Sequence, residues 1–291
     1  MEKGRIVKAI SGFFYVQTSN GVFSCKGRGI LKKNDLTPLV GDLVLFSVTN
    51  KDDNEGILED LIPRNSELLR PPVANVDQLL IVFSYTQPTP NYVLLDRILV
   101  MAESQHLPSI VCFNKTDLID DVDGSLMEAY EEMGYIVIKT SAITGEGLTS
   151  LKKALKGRTT ALAGSSGVGK STLINSMFPQ FSLETGEISK KIQRGKHTTR
   201  HSELHQIDEE TWIMDTPGFS TLSILDIEDT ELRDYFKDFA RAQLNCRFKT
   251  CLHLEEPGCG VKKALQDGTI HWNRYQNYVN LLEEIRKNRR Y

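Results

Sequence analysis

A chain of 291 residues exceeds one average domain, and its 40% hydrophobic and 25% charged residues exclude a disordered polymer and predict two or three folded domains. A formal net charge of −3 excludes a globally basic nucleic-acid binder, so any such surface has to be local. No apolar run follows Met1-Glu2-Lys3-Gly4 and none reaches the length of a membrane span, so no signal peptide or membrane partner is expected, and the cytoplasm is.

Residues 1–66 read as β. Runs at 5–10 and 13–18 are split by Ser11-Gly12, Asn20-Gly21 signals a hairpin before 22–25, and 43–48 and 55–59 supply further strands. Five short strands with glycine turns and no long helix predict a small barrel of the OB type, a fold that often holds RNA or single strands. Lys26, Arg28, Lys32 and Lys33 gather in one inter-strand loop, either as a phosphate-contacting edge or as a solvated loop. Nine Lys/Arg against eight Asp/Glu in residues 1–66 mean that the domain as a whole is not basic.

Pro63 and Pro71-Pro72 punctuate a linker expected over residues 63–75. Strands and helices then alternate. Strands are expected at 78–83, 109–113, 136–138 and 160–163, and helices at 91–105, 125–133 and 148–155. This βαβα rhythm predicts a parallel sheet with helices on both faces.

The chemistry is carried by short motifs at the strand ends. Gly164-Ser165-Ser166-Gly167-Val168-Gly169-Lys170-Ser171 fits G-x-x-x-x-G-K-[ST], with a short strand before it and a helix from Ser171-Thr172 after it. Its glycines let backbone N–H groups converge on phosphate oxygens, and the helix N-terminus adds its positive end. Lys170 is assigned to the β- and γ-phosphates and Ser171 to Mg²⁺. A nucleoside triphosphate is therefore the expected ligand.

Asn114-Lys115-Thr116-Asp117 closes the strand at 109–113 as N-K-x-D. The Asp117 carboxylate can accept from both N1–H and the N2 amino group of guanine, and adenine offers neither donor. Asn114 is expected to hold O6 or N7 and brace the loops, and Lys115 to lay its stem over the base. Thr140-Ser141-Ala142, after the next strand, fits the third base-contacting loop, with the Ala142 N–H meeting O6. The triphosphate is thus GTP.

Residues 182–202 are polar and basic, as expected of a switch loop in which Thr198 or Thr199 closes on Mg²⁺. A strand ending in Asp215-Thr216-Pro217-Gly218 gives D-x-x-G, with Asp215 holding Mg²⁺ through water and the Gly218 N–H on the γ-phosphate. N-K-x-D precedes the phosphate loop, which precedes D-x-x-G, so the domain reads as circularly permuted. Phe219 occupies the position where a Gln would orient the attacking water. Unaided hydrolysis is expected to be slow, with His197 or a partner supplying the positioning.

A third unit follows. An amphipathic helix is expected at 229–240, with Leu232, Phe236 and Phe239 inward. Cys246, Cys251, His253 and Cys259 form C-x₄-C-x-H-x₅-C, four soft ligands that suit one structural, tetrahedral Zn²⁺. Cys25 and Cys112 read as buried strand thiols. A closing helix at 271–288 carries Trp272, Tyr275, Val279, Leu282 and Ile285 at core spacing. The cations of Arg286-Lys287-Asn288-Arg289-Arg290 after it either favour the helix C-terminus or bind phosphate.

These motifs, with Cys25-Lys26-Gly27-Arg28-Gly29, Val40-Gly41-Asp42 and Gly195-Lys196-His197-Thr198-Thr199, resemble one family over nearly the whole chain. It is the RsgA (YjeQ/YloQ) family of circularly permuted GTPases. The resemblance implies GTP hydrolysis stimulated by the 30S ribosomal subunit, contact with 16S rRNA, a role in late subunit assembly, zinc at the four ligands named and His197 as a catalytic residue. Ser165 and Lys196 stand where relatives often have Pro and Arg. The domains expected are an OB-type, RNA-binding domain at 1–66, a permuted α/β GTPase domain at 67–222 and a mainly α zinc-binding domain at 223–291, in a monomer. The alternative is a guanine-nucleotide switch with a protein partner.

Overall fold

The computed structural model describes residues 1–27, 37–69, 71–119, 125–180, 202–215, 224 and 226–289. Packing divides the chain into two compact units, one of Met1–Leu80, Thr149–Ala163 and Ser171–Phe219, the other of Ile81–Leu148, Gly164–Lys170 and Ser220–Tyr291.

The first unit opens with five strands: β1 Glu2–Ile10, β2 Phe13–Thr18, β3 Gly21–Gly27, β4 Leu43–Asn50 and β5 Glu55–Leu61. Their alternation sends Ile6, Val16, Phe23, Cys25, Val44, Phe46 and Leu58 inward, with the Phe23 and Phe46 rings 5.2 Å apart. The sheet runs β1-β2-β3-β5-β4 and closes through β1–β4, so no barrel edge is left between these strands. This is the OB-type barrel expected from the turn spacing. A bulge between Ile6 and Lys8 bends β1.

The stretch expected as a linker contains an antiparallel ribbon, β6 Glu67–Leu69 with β7 Pro72–Ala74. Leu68 and Val73 pair across it and are buried, an apolar gain that the prolines conceal in the sequence. Pro72 occupies a strand's first position, where a missing N–H is tolerated.

The remaining strands and α-helices among the described residues are β8 Gln78–Ser84, α1 Tyr92–Ser104, β9 Ser109–Asn114, α2 Ser125–Glu132, β10 Ile136–Thr140, α3 Leu148–Leu155, β11 Thr159–Ala163, α4 Lys170–Met177, β12 Glu203–Gln206, β13 Trp212–Asp215, α5 Phe239–Ala242, α6 Gly260–Gln266 and α7 Trp272–Asn288. β8, β9 and β11 are buried along their whole length, as unbroken apolar runs require. In the first unit β11 pairs with β13 in parallel, and β12 lies antiparallel to β13. In the second unit β9 and β10 are parallel. β12 is not foreseen from sequence, because in Glu-Leu-His-Gln only Leu204 is buried.

Two expectations about the C-terminal region are corrected. Residues 229–240 form no single helix; a short 3₁₀ turn at Leu232–Tyr235 ends at Phe236, whose extended backbone (φ −97°, ψ 96°) precedes the one-turn α5. Across the break the Phe236 and Phe239 rings stack on each other at 5.2 Å and meet Tyr278 at 5.3 and 5.0 Å. Trp272, counted with the core, is 60% exposed at the start of α7.

The inner face of α7 carries an ionic cluster. Arg274, 1% exposed, is paired with Asp96 of α1, and its Nη2 donates to Asp238 Oδ1 at 2.9 Å. Tyr130 Oη and Asn277 Nδ2 donate to the two Asp96 oxygens at 2.8 and 2.6 Å, and the guanidinium lies 4.6 Å from the Phe236 ring centre. Every charge in this dry site has a partner, as burial demands.

Candidate functional site

Parallel pairing of β9 with β10 puts Asn114 beside Thr140. Thr140 Oγ1 donates to Asn114 Oδ1 at 3.1 Å, which turns Nδ2 toward the phosphate loop, where it donates to the Val168 carbonyl at 2.9 Å. Burial pushes the Cys112 thiol up to about 12, so it stays protonated and able to donate to Thr140 Oγ1, 3.1 Å away. Lys115 sits in the left-handed region (φ 68°), and its Nζ donates to the Gln87 and Gly167 carbonyls at 2.6 and 2.7 Å. Such backbone strain is kept only where surrounding bonds hold it.

Thr116 Oγ1 reaches Glu146 Oε2 at 2.8 Å and the Thr140 carbonyl at 3.2 Å. Ser141 Oγ donates to Asp117 Oδ1 at 2.6 Å while accepting the N–H groups of Ile143 and Thr144, so Ala142 lies in a turn tied to the carboxylate. Four separate loops thus hold one another by polar contacts.

The phosphate loop is shaped by close approach. A Cβ on Gly164 (φ +128°) would lie 2.1 Å from the Val82 carbonyl oxygen, and one on Gly169 (φ +94°) 2.6 Å from Asn114 Nδ2. Lys170 Nζ donates to the Gly164 and Ser165 carbonyls at 2.8 Å each, inside the curl made by Ser165, Ser166, Gly167 and the buried Val168. α4 then opens at Lys170, with Ser171 and Thr172 on its first turn. In the first unit, Asp215 ends β13 in register with Leu162 of β11.

The second candidate is the cysteine–histidine cluster. One ligand atom from each of Cys246, Cys251, His253 and Cys259 lies within 4.8 Å of all the others. His253 Nδ1 is 3.6 Å from Cys246 Sγ and 3.4 Å from Cys259 Sγ. In a tetrahedral zinc site the sulfur–nitrogen edge is about 3.5 Å, from bonds of about 2.3 and 2.05 Å. The amides of Gly260 and Lys262 point at the sulfurs of Cys246 and Cys259, the outer-shell bonds that orient thiolates. Burial holds His253 down to about 4, so its imidazole is neutral, the ligating form. The donor set therefore fits a soft divalent metal.

His197, Thr198, Thr199, Gly218, Arg28, Lys32 and Lys33 lie outside the described residues. Lys26, next to last in β3, is in register with the half-exposed Phe13 of β2, its Nζ 5.2 Å from the ring centre.

Comparison with known proteins agrees with this arrangement. The sequence model of the RsgA GTPase matches residues 61–225, and that of the RsgA N-terminal domain residues 3–58. The small ribosomal subunit biogenesis GTPase RsgA of Alkaliphilus metalliredigens is 52% identical over 292 residues, covering 100% of both chains. Its namesake in Bacillus anthracis is 46% identical over 291 residues, covering 99% of this chain and 98% of its own. The crystal structure of YjeQ from Thermotoga maritima superposes with a TM-score of 0.79 at 36% identity, covering 97% of this chain and 98% of that one. That of YloQ, described as a circularly permuted GTPase, gives 0.78 at 38%, covering 99% and 96%. The chain belongs to the RsgA GTPase family.

As a member of the RsgA family it is a GTP hydrolase, and its motif order is that of a circularly permuted GTPase domain. RsgA membership implies Mg²⁺ bound with GTP. Sequence reading missed two groups around the nucleotide loops, Glu146 and the Gln87 carbonyl, and placed Thr140 in the base-contacting loop without a role for its hydroxyl. Only Glu146 left a trace, as the acid in Thr144-Gly145-Glu146-Gly147. A backbone carbonyl leaves none. Among the described residues, no helix is long and apolar enough to cross a membrane.

Proposed function

We propose that this chain is a guanine-specific GTPase of small-ribosomal-subunit assembly that hydrolyses GTP to GDP and phosphate on the 30S subunit and leaves it after turnover. The observation that carries the reading is the interlock of Asn114, Lys115, Asp117 and Ser141 with the loop at 164–170. It fixes a base-reading carboxylate relative to a phosphate cradle before ligand arrives, the pre-organisation that selective binding needs. Asp117 reads N1–H and N2 of guanine, the Ala142 N–H reads O6, and Lys170 exchanges its loop carbonyls for β- and γ-phosphate oxygens. The amides of Gly164 to Gly169 line the phosphates.

The Ser171 hydroxyl and the Asp215 carboxylate are hard oxygen donors of the kind Mg²⁺ takes, the second through water. With Thr198 or Thr199 they would hold that ion, which when bound neutralises charge on the β- and γ-oxygens. His197 would position the attacking water in place of the Gln that Phe219 replaces. Cys246, Cys251, His253 and Cys259 would hold one structural Zn²⁺.

Residues 1–66 form the RNA-binding domain of the proposal, 67–222 the GTPase domain and 223–291 the zinc domain, in a cytoplasmic monomer. Phe13 and Lys26 support contact with 16S rRNA, since an exposed ring beside a cation on strands 2 and 3 of an OB barrel offers stacking and phosphate contact together. Lys26, Arg28, Lys32 and Lys33 would extend that surface.

GTP turnover with and without purified 30S particles tests the reading, with a large stimulation expected. Equal turnover in both, with stimulation by a protein that is not ribosomal, would assign the partner otherwise. A steep salt dependence of 30S binding, reduced by neutralising Lys26, is expected of an RNA contact.

A further inference from the structure

β1 has two partners along a single edge. From Glu2 to Arg5 it pairs with β4 and closes the barrel; past the bulge between Ile6 and Lys8 the same strand pairs with β12 at Lys8↔Glu203. β12 in turn pairs with β13 at Glu203↔Asp215. Lys8, Glu203 and Asp215 therefore stand in one row across three strands, and residues directly opposite in a ladder share a face.

The row is one of charges. Lys8 Nζ is 3.0 Å from Glu203 Oε2, both side chains part-exposed. Glu203 and Asp215 are like charges directly opposite, an arrangement that destabilises a ladder unless something offsets it. The Lys8 ammonium supplies that offset from the barrel side. His205, two residues along the same face of β12, is held below its usual range first by burial, while the fields of Glu203, Asp215 and Lys8 all reach it.

The start of β13 is tied to β1 as well. The Arg5 guanidinium lies 5.0 Å from the centre of the Trp212 ring, which starts β13. It also donates to Thr159 Oγ1 of β11 and to the carbonyls of Asn75 and Gly41. β1 thus touches the start of β13 directly through Arg5 and its last residue, Asp215, only through Glu203, and Asp215 is followed directly by Thr216-Pro217-Gly218.

We propose that Glu203 is a positioning residue: clamped by Lys8 of the barrel, it sets the electrostatic environment of Asp215 and couples the state of the nucleotide site to β1. The proposal rests on the reading of Asp215 as the residue that holds Mg²⁺ through water. A charge placed at 203 then changes how strongly Asp215 attracts the ion, and a change at Asp215 shifts the register partner of β1. Neither Lys8 nor Glu203 touches nucleotide in this scheme, so turnover at saturating Mg²⁺ stays near the parent value.

The test is a charge-swap cycle in the full-length protein, Lys8→Glu, Glu203→Lys and both together, reading the Mg²⁺ concentration for half-maximal basal GTP hydrolysis. Glu203→Lys brings a cation opposite Asp215 and is expected to raise that concentration about two- to fivefold, the range open to part-exposed neighbouring charges. Lys8→Glu is expected to lower it, and the double swap to return it to within about twofold of the parent. Hydrogen exchange of the β1 amides, slower with a non-hydrolysable GTP analogue than with GDP in the parent, is expected to lose that difference in Glu203→Lys and regain it in the double variant. A Mg²⁺ requirement that neither single swap moves would overturn the coupling, as would β1 exchange that stays insensitive to nucleotide in the double variant or is already insensitive in the parent. Asp215→Asn separates the two layers. If it leaves the Mg²⁺ requirement unchanged, the reading of Asp215 fails; if it raises the requirement while the swap cycle does nothing, only the coupling fails. Glu203→Gln, which removes charge with little change of shape, repeats the measurement should either swap variant fail to fold.

Discussion

The nucleotide loops and the cysteine–histidine cluster are both built from irregular backbone, yet different forces hold them. Around Asn114 the holding groups are hydroxyls, amides and one ammonium, each matched to a partner within the protein: Thr140 to Asn114, Asn114 to Val168, Lys115 to Gly167, Ser141 to Asp117. Around His253 the polar groups are soft and weakly matched. Burial pushes the Cys251 thiol up to about 12, and among the described residues the buried His253 Nε2 meets no hydrogen-bond partner. Aromatic rings surround the imidazole instead, Phe239 edge-on at 5.6 Å and Tyr278 at 6.2 Å. The first region is complete as a set of hydrogen bonds; the second has the donor set that a soft divalent cation would complete, turning its thiols into thiolates.

The largest effect follows from removing that cation. Structural zinc contributes on the order of 10 kcal/mol in small zinc-folded units. Chelation, or Cys251→Ser, is expected to melt the segment around Cys246–Cys259 and α6, seen as lost amide protection there with one equivalent of zinc released. Guanine-nucleotide affinity should change by less than about threefold, because among the described residues no nucleotide loop bonds to the cluster. Unchanged protection after complete chelation would remove the contrast between the two regions.

The next effect is expected at Arg274. Here the hydrogen bonds are as complete as around Asn114, but the groups are charged and buried, so removing the cation leaves Asp96 and Asp238 without compensation. Arg274→Ala is expected to cost about 3–5 kcal/mol in denaturant unfolding. Arg274→Met with Asp96→Asn and Asp238→Asn should recover much of it, since well-packed neutral replacements for buried ions are often no less stable. Failure of the triple variant to recover would show that the ions specify the packing of α1 against α7, not merely survive it.

How far the sequence announces these features depends on how local their physics is. The phosphate loop, N-K-x-D and the ligand spacing of Cys246 to Cys259 are legible because each packs its chemistry into a few consecutive residues. The barrel was legible from alternation and glycine turns, and α3 from its apolar spacing. Arg274 was not, because an arginine on a helix reads as solvent-facing until Asp96, 178 residues away, is known to meet it. The ribbon of β6 and β7 was hidden by prolines that mark turns without saying whether the flanks pair. β12 was hidden by its polarity, and Phe236 by a spacing that suits a helix although the backbone leaves it there.

Two smaller changes sharpen the comparison inside the nucleotide loops themselves, because one removes a base contact and the other a brace. Asp117→Asn takes away the acceptor for two guanine donors and is expected to cost roughly 3 kcal/mol of guanine preference, about a hundredfold in the ratio of GTP to ATP affinity. Thr140→Val keeps that carboxylate and the shape of its neighbour but leaves Asn114 Oδ1 without its hydroxyl donor and Cys112 without its acceptor, both in a site with no exposure at Thr140. An unsatisfied buried acceptor costs about 1–3 kcal/mol, and part of that falls on the Asn114 to Val168 bond that steadies the phosphate loop. GTP and GDP should therefore weaken together, by about tenfold, with the preference over ATP intact. Thr140→Ser, which restores the hydroxyl, should recover most of the loss in equilibrium binding of a fluorescent guanine nucleotide. If Thr140→Val instead shifted base preference, or Ser failed to rescue, Thr140 would be packing rather than bracing, and the loops would owe their order to apolar contact rather than to hydrogen bonds.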